Sequence, residues 1–187
     1  APRLARHRTA IFMSEALFRR VDALAAARED DALSPEQRRV LSRYHTMFLR
    51  AGARLGPDDK VRLARIMERL AELGTRFAQN VLADEKSFCL VLEDETDLAG
   101  LPAFLRGAAS HAAEERGLAE HHVITLARSS VEPFLTFSAR RDLREEAFKA
   151  WAKRGENGGK NDNRKIVVEM VKLRAEMARL LGYESYA

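Results

Sequence analysis

The last 45 residues constrain the fold most, because they read as two amphipathic helices joined by a polar, glycine-rich loop. In the first helix, apolar residues recur at the i, i+4, i+5 and i+8 spacing of a single helical face, at Leu143, Ala147, Phe148 and Trp151. The loop covers residues 155–163. In the second helix the apolar positions are Ile166, Val167, Met170, Leu173, Met177, Leu180 and Leu181. We expect this helix to end at Gly182, because glycine most easily adopts the left-handed C-cap conformation.

The overall composition also favours helix. The chain has 187 residues, of which only 10 are Gly and 5 are Pro. No apolar run approaches the roughly 20 residues of a membrane span, and the N-terminus lacks the apolar segment of a signal peptide. One cysteine, Cys89, excludes an internal disulfide and fits a reducing compartment. These features predict a cytoplasmic location and no membrane partner.

The basic charge raises the possibility of a nucleic-acid partner. The net charge of +4 arises from 32 basic and 28 acidic residues, which are interleaved along the chain. Arginines form a stripe on the third predicted helix, at Arg62, Arg65, Arg69 and Arg76. The stripe is either a phosphate-binding surface or the solvated face of an amphipathic helix, paired with Glu68 and Glu72. We favour the solvated face and predict no nucleic-acid partner.

Three further helices are predicted before residue 90. The first runs from Pro2 to Asp30 as one helix. The second begins at Ser34, where Ser34 and Gln37 form the pattern of a capping box. Its expected buried residues are Val40, Leu41, Tyr44, Phe48 and Ala51. The third runs from about Pro57 to Asp84, with its expected inner face at Val61, Ala64, Met67, Leu70, Leu73, Phe77, Val81 and Leu82.

A short β-element is predicted between these helices and the C-terminal pair. Residues 87–92 and 122–126 have the apolar runs of strands, with a short helix from Leu101 to Arg116 between them. Residues 134–137, after Pro133, are either a third strand or an extended segment. The prediction is a mainly α fold with a two- or three-stranded β-element, in a single helical region over residues 1–187.

The residues alone assemble no active site. The sequence contains no His-Glu-x-x-His, and the nearest metal-like spacing is His111 with Glu114 and Glu115, which lack a further ligand. Cys89 lies in an apolar run and is expected to be buried as a small hydrophobic residue. His121 and His122 are expected to be solvated turn residues. We therefore predict no catalytic residue, no metal ligand and no bound cofactor within these residues.

The glycine-rich loop invites comparison with a phosphate-binding loop, but its spacing does not match. Three residues rather than four separate Gly155 from Gly159-Lys160, and Asn161 replaces the Ser or Thr that binds Mg²⁺. The simpler interpretation is a helix–helix connection, capped into the next helix by Asp162 or Asn163. The loop holds more glycine and asparagine than a connection needs, so contact with a ligand remains an alternative.

Several stretches carry a family resemblance. Residues 154–163 read Arg-Gly-Glu-Asn-Gly-Gly-Lys-Asn-Asp-Asn, and residues 180–187 read Leu-Leu-Gly-Tyr-Glu-Ser-Tyr-Ala. Shorter matching stretches lie, in order, at residues 44–45, 48–53, 77–82, 98–102, 133–135, 143–145 and 173–176. With these the chain resembles the thimet oligopeptidase family of zinc metallopeptidases. The loop is most similar to the bacterial peptidyl-dipeptidase branch.

This resemblance implies a long, mostly helical protein with two halves that face a deep channel. It places the zinc motif in the C-terminal half, whereas this chain ends before it. The chain is thus expected to be an inactive N-terminal half and one wall of a zincin-like channel. Its partners would be short peptides and the missing catalytic half, and the full-length protein would bind zinc and release C-terminal dipeptides. The alternative is a free-standing helical interaction module without catalysis.

The resemblance also leads to a hypothesis about the loop. We expect its amides to hydrogen-bond an extended peptide in the channel. The candidate substrate-channel residues are Asn157, Gly158, Gly159, Asn161, Asp162 and Asn163.

Overall fold

The structure, a computed structural model, describes residues 2–27 and 33–187. The helices are α1 (Pro2–Phe12), α2 (Glu15–Ala26), α3 (Pro35–Arg50), α4 (Pro57–Ser87), α5 (Ala103–Glu114), α6 (Arg128–Phe137), α7 (Arg141–Ala152) and α8 (Arg164–Leu180). The strands are β1 (Leu90–Leu92) and β2 (His122–Ile124). The prediction of a mainly α fold with a small β-element is confirmed.

The chain divides into two compact units. One comprises Ala1–Arg76 with Ile166–Ala187, and the other comprises Phe77–Lys165. The boundary between them falls within α4 and near the start of α8. The β-element and the loop over residues 155–163 both belong to the second unit.

The N-terminal segment contains two helices, so the prediction of one helix from Pro2 to Asp30 is wrong. The first ends at Phe12, and Ser14 caps the second by accepting a hydrogen bond from the Leu17 backbone N–H at 3.4 Å. A serine side chain can accept a hydrogen bond from a free backbone N–H at the start of a new helix, which lowers the free-energy cost of interrupting the helix at this position. The predicted end at Asp30 lies outside the described residues.

The predicted start of α3 is confirmed. The Gln37 N–H donates to Ser34 Oγ at 3.2 Å, and the Ser34 N–H donates to Gln37 Oε1 at 2.8 Å. These two bonds form the capping box. They satisfy two backbone donors at the helix start.

Within the first unit, the buried residues of α3 and α4 differ from the predicted stripes. Phe48 is buried with Phe18, whereas Val40 and Tyr44 are exposed. On α4 the buried residues of this unit are Leu63, Ile66 and Leu73, while Val61 is 52% exposed. Apolar residues surround more than one face of α4, so helical period alone did not identify the buried one.

The core of the second unit forms around the two strands. They pair antiparallel in the register Leu90 with Ile124, Val91 with Val123 and Leu92 with His122. Leu105, Val131, Phe134 and Ala147 from α5, α6 and α7 complete this core. Cys89 is exposed and precedes β1, so the prediction that it is buried in a strand is wrong.

Residues 134–137 form the end of α6 rather than a third strand or an extended segment. Pro133 lies inside this helix, where it normally removes a hydrogen bond and disfavours helix. Burial outweighs that local penalty, since Val131 and Phe134 lie three residues apart and are both fully buried in the core. The β-element therefore has two strands in the described part of the chain.

The C-terminal helix pair is confirmed. The first helix is α7, and α8 ends before Gly182, whose φ is +79°. The Tyr183 N–H donates to the Ala178 carbonyl at 2.9 Å. This bond and the left-handed glycine are typical of a Schellman C-cap.

Candidate functional site: an asparagine- and glycine-rich loop anchored to α4

A single carboxylate on α4 holds the loop over residues 155–163. Asp84 accepts hydrogen bonds from the Gly155 N–H at 2.8 Å, the Asn157 side-chain amide at 3.1 Å and the Asn161 side-chain amide at 3.1 Å. The three donors lie at the start, in the first half and in the second half of the loop. Asp84 therefore holds the loop along most of its length.

These hydrogen bonds set the ionisation of Asp84. Partial burial of the carboxylate raises its pKa, but the bonds from Gly155, Asn161 and Asn157 outweigh that effect. The pKa of Asp84 therefore lies below its usual value, and the ionised form is the form that holds the loop.

A buried asparagine pair anchors the end of the loop. Asn163 is only 3% exposed, and its side-chain oxygen accepts a hydrogen bond from the Asn80 amide at 2.8 Å. The Asn163 amide donates to the Phe77 carbonyl at 3.1 Å. Buried polar groups need such partners, so the pair ties residue 163 firmly to α4.

Gly155 is required where the loop closes on itself. The Asn163 N–H donates to the Gly155 carbonyl at 2.7 Å, and Gly155 has a φ of +74°. A Cβ at this position would lie 2.6 Å from the side-chain nitrogen of Asn163. Any other residue would therefore displace the buried asparagine.

Asp162 leads the loop into α8. Its carboxylate accepts a hydrogen bond from the Arg164 N–H at 2.9 Å and also pairs with the Arg164 guanidinium. These interactions with Arg164 lower the pKa of Asp162 to about 2. Of the two predicted capping residues, Asp162 and Asn163, it is Asp162 that bonds the start of α8, whereas the Asn163 side chain bonds Asn80 and the Phe77 carbonyl.

Four residues of the loop are exposed to solvent. They are Glu156 and Asn157, and also Gly159 and Lys160, which form the tip of the loop within a single 3-10 turn over Gly159–Asn161. The side-chain amides of Asn157, Asn161 and Asn163, expected to contact a peptide, instead donate to groups on α4. Whether the loop faces a channel remains a prediction.

Sequence reasoning missed the groups on α4 that hold the loop, namely Asp84, Asn80 and the Phe77 carbonyl. It also missed the ion pair between Glu85 and Arg154, the residue just before the loop. One signal was available: Asn80 is a polar residue in the stretch Phe77–Leu82, in which every other residue except Gln79 is apolar. A polar residue there indicates a buried partner, but the sequence does not identify Asn163 as that partner.

The side chains present do not fit the zinc that the resemblance implies. His111 Nδ1 lies 3.7 Å from a Glu114 oxygen and His111 Nε2 lies 3.6 Å from a Glu115 oxygen, and all three side chains are exposed. Within residues 2–27 and 33–187, no group of three or more His, Cys, Asp or Glu side chains could hold a metal ion. We therefore assign no catalytic step to a zinc ion on these residues.

His121 differs from the prediction of a solvated turn residue, because its Nδ1 is buried and has no hydrogen-bond partner.

Across the described ranges, every helix is too short or too polar to cross a membrane.

Comparison with known proteins gives a consistent relationship. The family model described as Peptidase family M3 matches residues 134–187. Dipeptidyl carboxypeptidase of Salmonella typhimurium is 37% identical over 177 residues, which cover 95% of this chain and 26% of that protein. Oligopeptidase A of Escherichia coli is 33% identical over 190 residues, 100% of this chain and 28% of that protein. A probable cytosolic oligopeptidase A of Arabidopsis thaliana is 29% identical over 183 residues, 93% of this chain and 26% of that protein.

The similarity to these relatives runs along nearly the whole chain, whereas the match to peptidase family M3 covers residues 134–187. The chain spans about a quarter of the length of the curated relatives that it matches.

Proposed function

We propose that these residues form a non-catalytic, helical part of an M3 peptidase that cleaves short peptides. The observation that carries the proposal is the 37% identity to a dipeptidyl carboxypeptidase over 95% of the chain, which corresponds to only 26% of that relative. The chain also lacks a His-Glu-x-x-His motif. The zinc site and the hydrolytic groups would therefore lie on residues outside these 187.

Within that enzyme, the chain would supply scaffold and one wall of the substrate channel. The loop over residues 155–163 is our candidate for the surface that faces the channel. Support comes from its exposed tip and from the number of side chains that hold the rest of the loop in a single conformation. A rigid loop can present fixed hydrogen-bonding groups to a peptide with a smaller loss of conformational entropy on binding.

We further propose that the enzyme releases dipeptides from the C-terminus of its substrates. One relative is named dipeptidyl carboxypeptidase and another oligopeptidase A, so the two modes of cleavage must be separated by assay. The name of the Arabidopsis relative supports a cytoplasmic location for this protein, as the single cysteine also does.

Exposed apolar side chains distinguish this proposal from a free-standing interaction module. In the second unit, Phe104 is 62% exposed and lies edge-to-face against Phe137, which is also exposed, at 6.2 Å between ring centroids. In the first unit, Val167, Val168 and Val171 of α8 are exposed within about one turn of the helix. Surfaces of this kind usually contact another protein segment, as part of a longer enzyme would.

The test begins with the coding sequence beyond the codon for Ala187. The proposal requires that the reading frame continues and encodes His-Glu-x-x-His. The purified full-length protein should then release dipeptides from N-blocked tetrapeptides with a free C-terminus and should lose this activity on treatment with a zinc chelator. A stop codon directly after Ala187 would instead leave a non-catalytic helical module. Cleavage of C-terminally amidated peptides at internal bonds would replace dipeptide release with oligopeptidase activity.

A further inference from the structure

In the loop over residues 155–163, hydrogen bonds to Asp84 hold Gly155, Asn157 and Asn161, and Gly159 and Lys160 form an exposed tip. We propose that Asp84 is a positioning residue that fixes this loop, and that Gly159 and Lys160 are the loop residues that contact an extended peptide substrate. The inference rests on the proposed function. It also reverses the expected role of the asparagines, which position the loop instead of contacting the peptide.

The positioning role of Asp84 follows from where its three donors lie. Gly155, Asn157 and Asn161 occupy the start, the first half and the second half of the loop. Loss of the carboxylate would leave these three donors without their shared acceptor. The loop end would stay attached to α4 through Asn80 and Asn163, so the tip would be displaced while the helices remain folded.

The contact role of Gly159 follows from the space around it. Gly159 has a φ of +69°, and a Cβ built there would have no atom within 4 Å. At Gly155, by contrast, a Cβ would press against Asn163. Packing within this unit thus gives no reason for the absence of a side chain at Gly159. Close approach of a ligand to bare backbone is a further reason for glycine, and an extended peptide is such a ligand.

The first test adds a side chain at the tip of the loop in the full-length peptidase. Asparagine is the replacement of choice, because it tolerates positive φ better than most residues. Gly159→Asn should raise KM for a short peptide by about fivefold or more, with a smaller change in kcat. Gly117→Asn is the matched control, since Gly117 has a similar φ of +73°, lies in the same unit and also has no atom within 4 Å of a built Cβ.

The second test removes the charge that positions the loop. Asp84→Asn should raise KM by about fivefold or more, because the loop tip would no longer occupy one position. The matched control is Asp94→Asn, because Asp94 also accepts three hydrogen bonds, from the Thr96 N–H, the Thr96 hydroxyl and the Asp97 N–H. It stabilises a different turn of the same unit. A purely structural loss would reduce the active fraction and hence the apparent kcat, but it would leave KM unchanged.

The outcomes separate this inference from the proposed function. If the wild-type full-length protein hydrolyses no short peptide, the proposed function fails, and this inference fails with it. If the wild type is active and Gly159→Asn leaves KM within about twofold, the contact role is wrong while the proposed function stands. If Asp84→Asn lowers thermal stability but matches Asp94→Asn in KM, Asp84 is only structural and the positioning role is wrong.

Discussion

At the scale of single residues, the loop depends on a carboxylate and a buried amide pair rather than on its glycines alone. Asp84 gathers three donors, and Asn163 connects Asn80 with the Phe77 carbonyl. The residues of the loop were all visible in the sequence as a polar cluster. Their acceptors lie more than 70 positions away along the chain, which is why the direction of the asparagines could not be predicted.

Low pH should destabilise the folded state, because carboxylates with lowered pKa values then become protonated. The pKa of Asp84 lies below its usual value, and the pKa values of Asp142 and Asp162 are about 2. A carboxylate whose pKa is lowered on folding stabilises the folded state above its unfolded pKa, and that contribution is lost as the pH falls through its folded pKa. We therefore expect the melting temperature of this chain to fall as the pH is lowered from about 4 towards 2. Asp84→Asn should show a smaller fall in calorimetry over the same range, and an identical fall would contradict the role of Asp84.

Trp151 tests how far α7 depends on its contact with the core. Its ring is partly buried against the core of the second unit and stacks with the Arg154 guanidinium at 5.1 Å from the ring centre. Its indole N–H is buried without a hydrogen-bond partner, so the ring contributes through packing and its contact with Arg154 rather than through a hydrogen bond. Trp151→Ala should lower the free energy of unfolding by about 3 kcal/mol in urea denaturation.

A conservative substitution at the same position serves as the control for Trp151→Ala. Trp151→Phe keeps an aromatic ring in the core contact but removes the unpaired N–H together with two ring carbons. It should therefore be much less destabilising than Trp151→Ala. A loss below about 1 kcal/mol for Trp151→Ala would show that the ring serves a contact with another part of the protein instead.

At the scale of secondary structure elements, α4 and α8 are joined by two ion pairs in an antiparallel register. Arg62 binds both carboxylate oxygens of Glu176, at 2.5 and 2.7 Å. Arg69 likewise binds Glu169, at 2.6 and 3.1 Å. The pairs are seven residues apart on each helix, which is about two turns. Two arginines of the stripe thus pair with glutamates of α8, and Arg69 also pairs with the predicted partner Glu72.

Each of these ion pairs should stabilise the folded state only slightly, and only when the two opposite charges face each other. Because all four side chains are more than a third exposed, solvent screens them, and the reversal Arg69→Glu should lower the melting temperature by only a few degrees. Adding Glu169→Arg should restore most of that loss, because the pair is re-formed with its charges exchanged. As a control, Arg65→Glu combined with Glu169→Arg should show no such recovery. The absence of recovery in the first pair would contradict the antiparallel register.

At the scale of the whole molecule, the absence of a nucleic-acid partner remains a prediction. Two arginines of the candidate stripe, Arg62 and Arg69, are already paired with glutamates on α8. We expect no binding to duplex DNA at about 50 mM salt, measured by fluorescence anisotropy with a labelled duplex. Binding that weakens steeply with added salt would contradict this expectation and restore the phosphate-binding interpretation.

The similarity to known peptidases also concerns the whole molecule. The similarity to named peptidases runs along nearly the whole chain, yet no metal-binding group forms among the described residues. Under the proposed function, the exposed Phe104, Phe137 and α8 valines are the positions where we expect contact with the rest of the enzyme.

Much of the fold follows from the sequence by itself. Helical period, the capping box at Ser34 and the C-cap glycine at Gly182 are local signals, and local hydrogen bonds and backbone preferences make them reliable. The glycine- and asparagine-rich loop could also be predicted, because its composition is a local signal. Where one local signal competes with another, as at Ser14 inside a long helical pattern, the sequence alone gave the wrong element.

Only the tertiary structure decided which faces are buried and where polar side chains point. Pro133 lies within a helix because Val131 and Phe134 gain burial in the core. Leu63 and Ile66, rather than Val61, are buried on α4 because packing selects one of several apolar faces. Asn163 and Asp84 meet the partners of distant segments, and no local rule encodes such contacts. Burial and hydrogen bonding between distant residues therefore determine what the loop can present to a ligand.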